Sequence, residues 1–142
     1  MIDLQQARRE AAERYHAIGM SYLPEGWTFA FRKSLSGRCF TARQHIEAPK
    51  PVTRKALYIW LHECAHAHLH SRTAGGNRKK PAHVQEYEAE MWAHAQMRQS
   101  GVAVPEAMTT RAKVYVARKI RQAVMRGAKR IDPDALKFSG GK

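Results

Sequence analysis

Three side chains in one short stretch have the types and spacing to hold and use a metal ion: His62, Glu63 and His66, in the order His-Glu-Cys-Ala-His. On a helix of 3.6 residues per turn both histidines project from one face, a turn apart, where their imidazoles can reach one zinc ion. Glu63, about 100° round the helix, then reaches a water held by that metal. A catalytic zinc needs a third protein ligand and an open fourth position. Glu86 follows His66 by 20 residues, far enough to stand on a second helix folded back against the first. Glu90, one turn on, can accept the other ring N–H of a ligand histidine. Glu88 points some 200° away from Glu86 and is read as solvent-facing. His70 continues the face of His62 and His66 and, at the helix end, either supports a ligand or meets water. His16 and His45 have no partner in view.

The elements around these residues must hold them in place. Thr53, after the breaks at Pro49 and Pro51, is a helix cap, and the run to His70 carries apolar residues on almost every side. A helix of that kind is buried, and buried His, Glu and His without a partner would be costly. Pro81 opens a second helix that stops at Ser100-Gly101. Pro105 introduces a long basic helix over about 106–127. Asp3 caps an amphipathic first helix ended by Gly19. Trp27, Phe29 and Phe31 alternate as in a half-buried strand, and a second extended run covers Arg38 to Ile46. With Ser36-Gly37 between them, these runs read as a hairpin packed on a helix. The expected architecture is α+β: one domain over 1–131, a small antiparallel sheet or hairpin on about four helices, with the histidine motif on the central one. Residues 132–142 form a partly flexible tail, with a Leu136 and Phe138 pair able to dock.

Composition narrows the setting. A chain of 142 residues with 44% hydrophobic content suits one core. It has no basic-then-apolar leader and no run of about 18 apolar residues, which points to a soluble protein without a membrane span. Two cysteines, Cys39 and Cys64, make no disulfide framework, so the cytoplasm is the expected compartment. The net charge of +13, from 25 Lys and Arg against 12 Asp and Glu, implies attraction to polyanions or acidic proteins. No acid lies between Ala107 and Ile131, where Arg111, Arg118, Arg121 and Lys129 offer contacts for phosphates or an acidic partner. The loop with Arg78, Lys79 and Lys80 repeats the pattern. Glu63, Glu86, Glu88 and Glu90 gather instead around the histidines, an acidic site in a basic body.

His62-Glu63-Cys64-Ala65-His66-Ala67-His68-Leu69-His70, followed by Glu86-Tyr87-Glu88-Ala89-Glu90-Met91-Trp92-Ala93, resembles the ImmA/IrrE family of zinc metallopeptidases. The resemblance implies a zincin-type fold, zinc on His62, His66 and Glu86, and Glu63 as general base. It also implies a protein substrate, often a transcriptional repressor of a mobile element or stress response. Trp92 stands where phenylalanine is usual, and His94-Ala95-Gln96-Met97-Arg98 replaces an apolar segment. Gly37-Arg38-Cys39 and His83-Val84-Gln85-Glu86-Tyr87 are similar to SprT-like proteases, which act on DNA-associated proteins; that resemblance would make His83 the third ligand, although Val84 replaces the expected glycine. A deformylase-like site with a Cys39 thiolate shares the His-Glu-Cys core but lacks that family's glycine-rich motif. In the peptidase reading Tyr115, His94 or Arg111 supplies the oxyanion donor, and an extended peptide adds to the edge of the hairpin. The rival class is a basic DNA- or protein-binding module with a structural or vestigial zinc.

Overall fold

A computed structural model describes residues 3–71 and 80–140. Helix α1, Leu4–Ser21, begins where Asp3 Oδ1 accepts from the backbone N–H groups of Gln5 and Gln6 at 3.0 and 3.2 Å. Strands β1, Thr28–Arg32, β2, Arg38–Phe40, and β3, His45–Pro49, form the sheet. Helix α2, Arg54–Leu69, starts at the cap donated to by Ala56, whose N–H lies 3.1 Å from Thr53 Oγ1. Helices α3, Ala82–Gln99, α4, Glu106–Met125, and the short α5, Pro133–Phe138, complete an α+β fold. None of the described helices is long and apolar enough to cross a membrane.

Helix α2 is the axis of the molecule. Every residue from Ala56 to Leu61 is buried, as are Glu63, Cys64, Ala65 and Ala67. The sheet covers it on one side, and α1 and α3 also pack against it. Trp60, Leu57, Leu61 and Ile46 have essentially no exposure, and burial of each such side chain contributes about 1.5–3 kcal/mol. A smaller cluster of Val116, Ile120 and Ala135 ties α4 to α5, with Tyr87, Leu136 and Phe138 against it. The tail therefore docks as a helix over 133–138; Gly141 and Lys142 lie outside the described residues.

The sheet differs from the expected hairpin. Its order is β1-β3-β2, with β3 pairing parallel to β1 and antiparallel to β2. The run from Arg38 to Ile46 is broken by a 3₁₀ turn, Thr41–Arg43, and by Gln44 at φ 53°, in the left-handed region. That kink returns the chain beside β2 and inserts β3 between the two earlier strands. Gly19 also departs from its expected role. It lies inside α1, where a Cβ would stand 2.8 Å from Pro51 Cγ, and its carbonyl accepts from Trp60 Nε1 at 2.7 Å. Glycine is there to let two elements approach, not to stop the helix.

Candidate metal centre

His62 and His66 leave α2 a turn apart with their Nε2 atoms 3.2 Å from each other. Glu86 comes from α3, its Oε2 at 3.0 Å from His62 Nε2 and its Oε1 at 3.3 Å from His66 Nε2. Glu63 adds a carboxylate, and ligand atoms of His62, Glu63 and His66 all lie within 4.8 Å of one another. Two ligands each about 2.0–2.1 Å from a tetrahedral ion stand roughly 3.3 Å apart. The spacings of 3.2, 3.0 and 3.3 Å match that separation.

Hydrogen bonding behind the ligands makes the same point. His62 Nδ1 lies 2.7 Å from Glu90 Oε1, somewhat out of line for a hydrogen bond, and the Tyr58 hydroxyl donates to Glu90 Oε2. Burial pushes Glu90 up to about 8, with Arg111 opposing, and in either charge state its Oε1 can face the Nδ1 proton. His66 Nδ1 meets His70 Nδ1 at 2.9 Å, and His70 Nε2 meets Glu88 Oε1 at 3.0 Å. His70 is 1% exposed, and burial lowers its pKa. A neutral His70 donates from Nε2 to Glu88, so its Nδ1 accepts the His66 proton. With the His62 proton placed on Nδ1 toward Glu90 as well, both histidines present bare Nε2 lone pairs to Glu86, whose buried Oε2 has no hydrogen-bond partner. Lone pairs facing lone pairs at this range are repulsive, and a cation between them resolves the conflict. Burial raises Glu86, but donors and positive charge on the imidazole side outweigh it and hold the carboxyl well below the usual range, so the carboxylate, too, calls for a positive group between it and the imidazoles.

Glu88 was expected to face solvent. It instead fixes His70 and also accepts from Lys80 Nζ at 2.7 Å. His83, the SprT-like alternative, is drawn away from the centre: its Nε2 accepts from the Asp132 N–H at 3.1 Å, against the segment that starts α5. His94 does not line the cleft above the donor atoms and packs between Tyr58 and Phe138. Tyr115 and Arg111 do line it, and Arg111 also donates to Leu35 O at 2.9 Å. The Tyr115 phenol is raised first by burial and then by the charges of Glu86 and Glu63, so it stays a donor. Burial, then Glu63, pushes Cys39 up to about 12, which leaves a thiol and not a thiolate.

Two members of the site have roles that the sequence did not indicate. Gly37, read as a turn residue, gives Glu63 its room: a Cβ there would stand 2.8 Å from Glu63 Cγ and 2.9 Å from Oε2. Tyr58, buried in α2, is not singled out by its type or spacing. Burial also acts on Glu63 itself, raising it to about 7 against opposition from His66. The donor atoms form the floor of a cleft of about 750 Å³ between the β2 edge and α4. Of the basic residues read as contacts for phosphates or an acidic partner, Arg111 and Arg118 line this cleft, while Arg121 is exposed on α4. Lys129 lies beyond the helix, which ends at Met125 ahead of Gly127 at φ 89°. Arg78 and Lys79 lie outside the described residues.

The chain was compared with models of protein families, with curated proteins and with solved structures. None of them matches.

Proposed function

We propose that the protein is a zinc-dependent metallopeptidase that cleaves a protein partner. The observation that carries this reading is the convergence of His62 Nε2, His66 Nε2 and the Glu86 carboxylate at metal-ligand spacing, with Glu63 beside them on the floor of an open cleft. A zinc ion held there would supply Lewis acidity toward water and a peptide carbonyl. Glu63, raised to about 7, is suited to take the proton of the attacking water and hand it to the leaving nitrogen. Tyr115 O–H and the free part of the Arg111 guanidinium can donate to the oxygen that gains charge. Strand β2 is an edge of the sheet and lines the cleft, so an extended substrate segment can pair with it. The resemblance to ImmA/IrrE proteins suggests a cytoplasmic regulator as substrate.

The test is metal content by mass spectrometry of wild type, Glu86→Ala, His83→Ala and Glu63→Gln, with cleavage of a proteome-derived peptide library. Zinc should be lost on Glu86→Ala and kept on His83→Ala, while Glu63→Gln keeps zinc and loses cleavage. Undiminished proteolysis by Glu63→Gln would sink the mechanism.

A second reading, a DNA-binding module, rests on α4. Among the described residues, no acid lies within ion-pair distance of Arg111, Arg118 or Arg121. Salt-dependent duplex binding by a chain without hydrolytic activity would favour it.

A further inference from the structure

The charge of the cleft changes sign with depth. Its acids Glu63, Glu86 and Glu90 lie on the floor, where Glu63 and Glu90 are 7% and 5% exposed. Glu86 faces both His62 and His66, and Glu90 faces His62 and also accepts from Tyr58. The cations Arg38, on β2, and Arg111 and Arg118, on α4, are exposed at the rim. Among the described residues none of these three is within ion-pair distance of an acid. Arg38 rests over the Phe40 ring, 4.9 Å from its centroid. Between the rim cations, Val114 and Tyr115 offer partly exposed apolar surface.

We propose that the cleft takes an extended polypeptide carrying acidic side chains on both sides of an uncharged central segment. The inference rests on the peptidase reading and adds the class of its substrate. One flank would meet Arg38 and the other Arg111 and Arg118, while the uncharged centre lies over Glu63. A nucleic acid carries a charge on every nucleotide and would set phosphates over the acidic floor. A polypeptide can confine its charge to the flanks. The cleft's volume of about 750 Å³ also suits a short chain segment better than a duplex.

The probe is a labelled peptide with an Ala-Leu centre flanked on both sides by aspartates, compared with versions carrying Asn or Lys at those positions. Binding to full-length Glu63→Gln protein is read by fluorescence anisotropy, which requires neither cleavage nor zinc. The Asp peptide should bind about tenfold tighter than the Asn peptide. That advantage should shrink between about 0.1 M and about 1 M salt. Arg38→Glu/Arg118→Glu should reverse the order so that the Lys peptide binds tighter. Arg8→Glu/Arg9→Glu on α1, with the same change in net charge, should leave the order intact. Equal affinity for the Asp and Asn peptides overturns the proposal. So does a preference that survives Arg38→Glu/Arg118→Glu, because overall charge would then be its source. A short DNA duplex that displaces the peptide through those same arginines would assign the cleft to nucleic acid. Failure to find zinc or hydrolysis would refute the peptidase reading while leaving the anisotropy result to stand.

Discussion

Replacing Gly37 by alanine probes the placement of Glu63 without touching a charged group. The new Cβ would lie 2.8 Å from Glu63 Cγ, 2.9 Å from Glu63 Oε2 and 3.1 Å from the Glu47 carbonyl oxygen. Carbon atoms in contact prefer about 3.5–4.0 Å, so relief requires a shift of roughly 0.7–1.2 Å. Glu63 is 7% exposed, so its side chain has little room to move aside. Overpacking of this kind costs about 1–3 kcal/mol. For a chain of this size that is a fall in melting temperature of about 3–12 °C. Under the proposed mechanism, displacing Glu63 as general base should also lower turnover by about 100-fold. The decisive measurement is a double-mutant cycle by urea unfolding. Glu63→Ala removes the two closest atoms, so Gly37→Ala should cost less than about 1 kcal/mol in that background, a coupling of about 1–2 kcal/mol. Additivity within about 0.5 kcal/mol would refute the reasoning and place the strain in the β2 backbone.

Two further substitutions test contacts around the site. Gly19→Ala gains about 1 kcal/mol of helix propensity. Its Cβ, however, would sit 2.8 Å from Pro51 Cγ and 3.1 Å from Trp60 Cδ1, so a net loss of about 1–2 kcal/mol in urea unfolding is expected, and a more stable variant would contradict the packing. Glu88→Ala removes the acceptor that sets His70, and through it the His66 tautomer. Zinc affinity by chelator competition should fall about 10–100-fold, with a mixed His66 tautomer by nitrogen NMR, and an unchanged tautomer would break the proposed relay.

The helices were largely legible because their signals are local. Asp3 and Thr53 cap α1 and α2, and Gly101, at φ 73°, follows the end of α3, as their residue types suggest. The sheet order was not legible. Alternation identifies a strand but not its neighbour, and the left-handed Gln44 that redirects β3 is of a type that announces nothing. In the site, helical spacing put His62 and His66 on one face and Glu86 and Glu90 on another, and the packing of α3 on α2 brings the four together. The choice between Glu86 and His83 was not available from phase alone, since three residues differ by only some 60° around the axis. It depends on height along α3 and on Asp132, 49 residues after His83, which takes that imidazole. Gly37 and Glu88 act through contacts between distant segments, and their neighbours in the chain carry no trace of that.

The indole of Trp60 binds the Gly19 carbonyl two residues before His62 on the same helix. A slip of α2 by one residue would turn it about 100° and carry the indole away from that carbonyl. At the other end His70 joins α2 to Glu88 of α3. The helix is thus keyed against rotation on both sides of its histidine pair, first by α1 and then by α3. The amino-terminal helix, remote from the cleft, therefore sets the angle at which the imidazoles are presented.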